Sequence, residues 1–345
     1  MGGVPPTLRT RTGEVAWYLS ASLGAAEAHE YAHASGGVVL RGEKGIETAN
    51  TLRRNGWTGR IWLDPATYER PGKQSDLTLF GNRWAVAQDD LGVAERISPG
   101  SFVPAGDQRA LRRGLANEVE WLERAGGGRA SLALHAGWLV DGTQQVIDAL
   151  RHLDSPVALA LADPTDPLGR SGAVAGLVRI VSEVEDLMLL RGDLGALGAV
   201  AHGARQGAIG ASTIVRHALP PGKHGGGVPG DKTPSVFWPE LLGFRLGSFI
   251  EQLPREAVPV CDLACCLGAR LSRFNDERME AEARVHNRLA IQALIDAVLQ
   301  LADSERPGRF RSMCQQAIVE TETLSVRARR QIVTSRQLVS WAELS

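Results

Sequence analysis

Short apolar runs alternate with longer amphipathic segments along most of this chain. Short runs rich in β-branched or aromatic side chains predict strands, and apolar residues at helical spacing predict helices. On this basis we predict eight strands, near residues 15–20, 37–40, 60–63, 101–103, 132–135, 157–161, 187–190 and 208–211.

Helical segments are predicted between most of these strands, for example over residues 107–125, 143–153, 171–184 and 194–204. Regular alternation of strands and helices is typical of repeated βα units, which form parallel sheets. Eight such units indicate a closed (β/α)8 barrel rather than an open sheet. We therefore predict an α/β protein with a TIM-type barrel over residues 14–216, and an irregular stretch at 65–100.

The alternation of strands and helices ends after the eighth predicted strand. Residues 217–230 are rich in Gly and Pro, which predicts a loop or lid. A Cys-rich segment and a long helix near 276–302 follow, so we expect residues 217–305 to form a zinc-binding subdomain. Residues 306–345 are rich in Arg and predict a basic C-terminal helical tail, which is usually a solvated helix face and sometimes binds phosphate.

The composition narrows the class of protein. A hydrophobic content of 43% supports a full core, and a net charge of −1 gives the molecule no strong overall field to attract nucleic acid. No apolar run approaches the ~20 residues that a membrane span needs, and the polar N-terminus does not look like a secretory signal. The four cysteines do not suggest a disulfide framework. We expect a cytoplasmic protein that makes no membrane contact.

Three of the four cysteines fall within six residues, at Cys261, Cys265 and Cys266, and His286 follows at a distance that a helix could span. Thiolates and an imidazole are the ligands of a structural Zn²⁺ site, so this segment predicts one bound zinc ion. The alternative is a set of buried free thiols on an apolar element, because unpaired Cys is among the most buried residue types.

Polar residues close many of the predicted strands, and in a barrel these ends would meet at one mouth. The candidates for a binding or catalytic role at this mouth are Asp64, Asp107, His135, Asp163, Arg191, Ser212 and Arg216. Several carboxylates in one pocket can hydrogen-bond a purine edge or transfer a proton. Each Asp taken singly also has the alternative role of a helix N-cap.

The order of these features resembles the tRNA-guanine transglycosylases, zinc-containing (β/α)8 enzymes that exchange a guanine in nucleic acid for a 7-deazaguanine, together with their DNA-modifying branch. The family's Cys cluster and His-Asn pair follow the eighth strand, as Cys261, Cys265 or Cys266 and His286 do here. This resemblance implies a structural Zn²⁺ and a tRNA or DNA partner.

The same resemblance assigns roles at the barrel mouth. The family's Asp-Ser-Gly-Gly-Phe-Gln motif is similar in place to Asp64-Pro-Ala-Thr-Tyr68, and its base-binding Asp is similar in place to Asp107. Its Gln-Gly-Gly segment falls near His135-Ala136-Gly137, which implies a substrate-binding role for His135 and Gly137. Ser212 stands where the family has its nucleophilic Asp.

Ser212 leaves two functions open. The first is a base-exchanging transglycosylase in which Asp64 and Asp107 recognise the base or move its proton, while Arg216 contacts phosphates. The second is a catalytically inactive relative that binds nucleic acid or a partner subunit, or acts as a homodimer, because a neutral hydroxyl stabilises an oxocarbenium-like sugar poorly.

Another motif favours a third function. His29-Glu30-Tyr31-Ala32-His33 matches the His-Glu-x-x-His pattern of zinc peptidases, in which two His one turn apart bind the metal and the Glu activates water. The alternative is that this segment is the first outer helix of the barrel.

Overall fold

The computed structural model describes residues 13–20, 23, 25–35, 37–69, 77–223 and 230–344. The Gly-rich part of the predicted lid, at 224–229, lies outside the described residues. None of the described helices combines the length and the apolar character that a membrane crossing requires.

The first half of the barrel consists of four strands and the helices between them. Their bounds are β1 Glu14–Leu19, α1 Ala25–Ser35, β2 Gly37–Arg41, α2 Gly42–Arg54, β3 Arg60–Asp64, α3 Leu77–Asp90, β4 Ser101–Val103 and α4 Gln108–Ala125. The stretch at 65–100, for which the sequence predicted no regular order, holds α3 and a short 3₁₀ helix at Thr67–Glu69.

The second half continues the alternation. It comprises β5 Ala130–His135, α5 Trp138–Asp141, α6 Thr143–Arg151, β6 Val157–Ala162, α7 Ala173–Glu183, β7 Leu187–Gly192, α8 Leu194–Ala201 and β8 Gln206–Gly210. All eight predicted strands are therefore present, each within a few residues of its predicted position.

The eight strands pair in parallel in the order β3-β2-β1-β8-β7-β6-β5-β4. Since β1 pairs with both β2 and β8, the sheet curls until its edge strands β3 and β4 approach each other. There the amide of Ala94 donates to the carbonyl of Ile61 at 2.8 Å, and the Thr67 hydroxyl donates to Pro99. The result is a TIM-type α/β barrel, as the alternating pattern predicted.

Two apolar layers hold the barrel. Residues such as Leu132, Leu159 and Leu189 face outward and pack under the helices, whereas Tyr18, Trp62 and Met188 fill the interior. Toward the carboxyl ends of the strands the interior is occupied by Tyr68 and a group of small alanines. The space inside the barrel is therefore a packed core.

The remaining elements cover one side of the barrel and its rim. They are β9 Ser235–Trp238, β10 Gly243–Leu246, α9 Gly247–Glu251, α10 Glu280–Leu299, α11 Arg306–Arg327 and α12 Arg336–Ala342. β9 and β10 form an antiparallel hairpin that packs on α10. The Arg-rich C-terminal segment forms helices, as predicted, and it joins the core through Phe310, Cys314 and Trp341.

Candidate functional site

The cysteine cluster sits in a second small core, between the β9–β10 hairpin and α10. The ligand atoms of Cys261, Cys266 and His286 all lie within 4.8 Å of one another, and all three side chains are buried. The Nδ1 atom of His286 is 3.6 Å from the Cys261 sulfur and 3.4 Å from the Cys266 sulfur. Tetrahedral Zn²⁺ with ordinary Zn–S and Zn–N bonds separates sulfur and nitrogen ligands by roughly 3.5 Å, so this spacing suits the ion.

Hydrogen bonds orient His286 for this role. Its Nε2 lies 2.7 Å from the carbonyl oxygen of Phe237, which can only accept, so Nε2 carries the proton and Nδ1 presents its lone pair to the thiols. Asn287 accepts from the Phe237 amide and donates to the Ser235 carbonyl. The His-Asn pair therefore fastens α10 to β9 and fixes the imidazole ring.

The thiols are held by a tight turn. The amide of Cys261 donates to Ala269, and the amide of Ala269 donates to Cys266, across a reversal in which Leu267 and Gly268 have positive φ. Burial raises the pKa of the Cys261 thiol to about 11. Since a metal-bound thiol is deprotonated, ion binding at this cluster releases protons.

Cys265 lies outside the three-residue cluster. Its sulfur is 3.6 Å from the Cys266 sulfur, and its side chain is half-buried rather than buried. The sequence could not decide between Cys265 and Cys266, and the geometry favours Cys266. Arg273 donates to the Cys265 carbonyl at 3.1 Å and lies 3.6 Å from the Cys266 sulfur, where its charge would stabilise a thiolate.

Asp64, at the end of β3, is sealed inside the barrel mouth with none of its surface exposed. The hydroxyls of Tyr18 and Tyr68 each donate to Oδ2 at 2.6 Å, and the amide of Ala66 donates to Oδ1 at 2.8 Å. Burial raises the pKa of Asp64, although these hydrogen bonds and Arg191 act in the opposite direction.

Arg191, at the end of β7, completes the closure of the mouth. Its guanidinium pairs with Glu69 and donates to the Ile214 carbonyl, and its Cζ atom is 5.4 Å from the centre of the Tyr18 ring. Glu69 also pairs with Arg41 at the end of β2. These side chains join β1, β2, β3 and β7 into one polar network, in which Asp64 faces protein donors instead of a solvent-filled pocket.

The other carboxylates named from the sequence do not share a pocket with Asp64. Asp107 is exposed and caps α4 by accepting the Ala110 amide at 2.8 Å, which is the alternative that its position allowed. Asp163 is buried and accepts from Thr165 and Arg170. Although burial by itself would raise it, the pKa of Asp163 is lowered by these partners.

The Asp-Pro pairs at residues 64–65 and 163–164 do not cap helices. In each, the carboxylate accepts the amide two residues further on, at Ala66 and at Thr165. This is the Asx-turn geometry that Asp favours in loops.

His135 and Gly137 lie at the end of β5, and Ser212 follows the end of β8. The Nδ1 atom of His135 accepts the Gly137 amide at 3.0 Å, and burial followed by the nearby Arg170 lowers the pKa of His135. Ser212 follows β8 in extended conformation and is half-buried. Ser212 therefore places a neutral hydroxyl just beyond the end of β8.

A cavity of about 230 Å³ lies at the rim, beyond the ends of β6, β7 and β8. Of the residues predicted from the sequence, it brings together Arg191 and Arg216. Three other lining residues, Asp166, Phe244 and Gln337, could not be predicted from the sequence, because they come from a loop, the hairpin and the last helix. We call this cavity the rim pocket.

Two glycines of α8, Gly195 and Gly198, have a structural role. A side chain at Gly195 or Gly198 would collide with Leu168, Phe310 or Trp341, so these glycines permit close packing of α8. The N-terminus of α8 is capped by the Asp193 carboxylate, which accepts the Gly195 amide. A phosphate at that helix end would meet this negative charge.

The His-Glu-x-x-His segment forms α1, the first outer helix. His29 and His33 approach to 3.1 Å between their Nε2 atoms, but Glu30 is paired with Arg288 of α10. Within the described part of the chain, only Cys261, Cys266 and His286 form a group of three or more metal-binding side chains. The structure therefore offers no third ligand for a peptidase centre on α1 among these residues.

Comparisons with known proteins add little. No family model and no curated protein matches the chain. Among solved structures, it is similar to 3-dehydroquinate dehydratase from Geobacillus kaustophilus HTA426, with 13% identity over 60% of this chain and 86% of that chain, at a TM-score of 0.35. A similarity of this size carries no argument about function.

Proposed function

We propose that this chain is a zinc-stabilised barrel protein of the transglycosylase type, which recognises a guanine or 7-deazaguanine base in tRNA or DNA without exchanging it. The observation that carries the proposal is the closure of Asp64 by Tyr18, Tyr68 and Arg191. The zinc part of the proposal is supported by the geometry of Cys261, Cys266 and His286. The nucleic-acid partner is inferred from the family resemblance.

Base exchange would require an attacking group on the sugar carbon and a general acid/base beside the base. Ser212 offers a neutral hydroxyl in place of a carboxylate. The two carboxylates on neighbouring strands that could replace it are engaged elsewhere, Asp163 by Arg170 and Asp193 by Gly195 and Gln337. Asp64 cannot hydrogen-bond a bound base while its carboxylate accepts from the hydroxyls of Tyr18 and Tyr68.

Binding a base in nucleic acid without exchanging it requires no attacking group and no general acid/base. Arg309, Arg329 and Arg336 are exposed in the segment that contains α11 and α12, and Arg336 precedes the rim-pocket residue Gln337. Exposed guanidinium groups contact phosphates in a sequence-independent way and position a nucleic acid. In this proposal the zinc centre holds the β9–β10 hairpin and thereby shapes the rim where the nucleic acid docks.

The test is binding of tRNA and duplex DNA as a function of salt. Affinity should fall as salt rises, and Arg336→Ser should lower the salt slope by about one, because one phosphate contact is lost. Arg179→Ser is the matched control, since Arg179 lies on α7, outside the Arg-rich C-terminal segment, and pairs with Glu183. Absence of salt-sensitive binding to either nucleic acid would overturn the proposal.

A further inference from the structure

The rim pocket is lined by a guanidinium group that has no counter-charge in contact with it. Arg216 forms no ion pair and no hydrogen bond with the part of the chain that the structure describes, although Asp193 acts on it electrostatically from a greater distance. Burial lowers the pKa of Arg216 to about 9, so the group still carries its charge at neutral pH. A buried charge without a partner is costly, so this position favours an anionic group in the cavity.

The packing of Arg216 leaves its terminal nitrogens available. Its Cζ atom stacks on the Phe244 ring at 3.1 Å from the ring centre, and a stacked guanidinium keeps its N–H groups in the plane, where they can donate to a ligand. Nε is buried without a partner, so an occupant of the cavity can reach only the two terminal nitrogens. Two parallel N–H donors match the two oxygens of a carboxylate.

Two carboxylates line the same cavity and lack a cationic partner within the described residues. Asp166 accepts the Leu168 amide at 2.9 Å, and Asp193 accepts from Gly195 and from Gln337. These hydrogen bonds fix the two side chains but leave their negative charge in place. Burial, followed by the charge of Asp193, raises the pKa of Asp166 to about 6, because the two carboxylates lie close together. A cation between them would relieve this repulsion.

The other groups that line the cavity do not supply the missing charges. Arg191 is paired with Glu69, and burial followed by the charge of Arg191 lowers the pKa of His217, which is therefore neutral at pH 7. Apolar side chains in the walls include Leu161, Leu168 and Leu189. The volume of about 230 Å³ is below the ~300–1,000 Å³ of sites for drug-sized ligands. The cavity therefore suits a small molecule with an anionic end, a cationic end and an apolar body.

We propose that the rim pocket binds a free α-amino acid with an apolar side chain. Its carboxylate pairs with Arg216, and its ammonium group lies between Asp166 and Asp193. A zwitterion supplies both counter-charges in one small molecule, whereas an amine would leave Arg216 unpaired and a phosphate would meet two carboxylates. The site requires no nucleic acid, so this inference is independent of the proposed function.

The pocket joins parts of the fold that are far apart in the chain. Asp166 lies in the loop before α7, Phe244 lies on β10, and Gln337 lies on α12. A ligand that bridges Arg216 and Asp166 therefore holds the hairpin and the last helix against the barrel. Because such a ligand binds only the folded chain, it should raise the unfolding temperature.

The experiment is calorimetric titration of the full chain with leucine, leucinamide, 4-methylpentanoate and inorganic phosphate. Leucinamide lacks the carboxylate and 4-methylpentanoate lacks the ammonium group, while both keep the leucine side chain. We expect leucine to bind and to raise the unfolding temperature. Each analogue should bind roughly tenfold more weakly or worse, and phosphate should not bind, because each leaves buried charge unpaired.

Two variants assign the two ends of the ligand. In Arg216→Gln, leucine and leucinamide should bind with similar affinity, and in Asp166→Asn the preference for leucine over 4-methylpentanoate should shrink roughly tenfold. A variant that merely fails to fold would lose every ligand and would not equalise one pair. Asp148→Asn, at an exposed position on α6, makes the same charge change away from the pocket and should keep the wild-type affinities.

The wild-type titrations alone decide the inference. Equal binding of leucine and 4-methylpentanoate would overturn the ammonium site at Asp166 and Asp193, and equal binding of leucine and leucinamide would overturn the carboxylate site at Arg216. Absence of leucine binding at millimolar concentration, or phosphate binding more tightly than leucine, would overturn the inference as a whole. The proposed function is tested separately by salt-sensitive binding of nucleic acid, so either can fail while the other stands.

Discussion

His286 links three parts of the cysteine cluster: the thiols, α10 and the hairpin. Its Nε2–H group donates a hydrogen bond to the Phe237 carbonyl, and its Nδ1 atom faces Cys261 and Cys266. A neutral imidazole in this tautomer is a metal ligand. Burial lowers the pKa of His286, which keeps the ring neutral around pH 7.

The first prediction concerns this cluster. Cys261→Ser, Cys266→Ser and His286→Ala should each lose most of the roughly one zinc per chain that elemental analysis should find in protein purified without added metal, and their unfolding temperatures should drop. Cys265→Ser should keep more than half of the zinc, because its sulfur lies outside the three-residue cluster. Cys314→Ser, at the buried thiol on α11, is the control that should keep all of it. A zinc-free wild type that is fully stable would contradict this account.

The second prediction concerns Asp64. Asp64→Ala would leave the hydroxyls of Tyr18 and Tyr68 and the Ala66 amide without an acceptor in a buried site. The free energy of unfolding should fall by about 3–5 kcal/mol, as measured by denaturant titration. A solvent-facing catalytic carboxylate would not behave in this way. A loss below about 0.5 kcal/mol would show that Asp64 is free for a substrate.

The third prediction concerns Glu118 of α4, which is buried and accepts from Ser98 and from the Ser131 amide. Burial raises the pKa of Glu118 from 4.5 to about 7. The folded state therefore binds this proton more tightly than the unfolded state, so the stabilisation is complete below pH 4.5 and is lost as pH rises through 7. The lost contribution is about 3 kcal/mol at most.

Glu118→Gln removes that titration and keeps an acceptor in place. Denaturant unfolding of both proteins between pH 4.5 and 8 should show the wild type losing stability relative to the variant as pH rises. A difference between the two proteins that stays constant across this range would rule out a raised pKa at Glu118.

In helix α8, a glycine allows two aromatic side chains to pack directly on the helix backbone. It lies between the barrel and the helices α11 and α12, and Phe310 and Trp341 rest on Gly198. A Cβ atom at Gly198 would come within 2.7 Å of both aromatic rings. Gly198 is therefore required for the close packing of α8 against these two side chains.

The fourth prediction follows from that contact. Gly198→Ala should lower the free energy of unfolding by about 1–3 kcal/mol through overpacking. Gly308→Ala in the first turn of α11 is the matched control, because nothing lies within 4 Å of the added Cβ atom. This control should be neutral or more stable by up to about 1 kcal/mol. Denaturation curves that rank the two variants in the opposite order would contradict the packing of α8.

The strands and most helices could be predicted because their patterns are local. A short apolar run such as 157–161 specifies a buried parallel strand by itself. The proximity of the Cys-rich segment and His286 could also be predicted, because a helix after that segment can return the imidazole to the thiols. The choice between Cys265 and Cys266 could not, because it depends on the turn at Leu267 and Gly268.

At the scale of the whole molecule, the arrangement of the mouth could not be predicted from the sequence. Polar strand ends indicated a shared pocket, yet Asp64 is sealed by Tyr18 and Tyr68 while Asp107 is an exposed cap. The rim pocket joins residues far apart in the chain, Asp166, Phe244 and Gln337. Only tertiary packing brings such residues together, so their proximity cannot be predicted from any local sequence pattern.

In the proposed function, the closure of Asp64 accounts for the absence of base exchange, and the cysteine cluster supports the hairpin at the rim where the nucleic acid docks. The rim pocket is open where the barrel interior is filled by Tyr68 and alanines.

The most direct test of this account is transfer of labelled guanine into tRNA and duplex DNA by zinc-loaded protein, measured on samples in which nucleic-acid binding is verified. The account predicts bound nucleic acid and no incorporated label above a protein-free control, for wild type and for Asp107→Ala alike. Incorporation by the wild type that disappears in Asp64→Asn, with binding retained, would show that Asp64 opens to the substrate and would contradict the central claim.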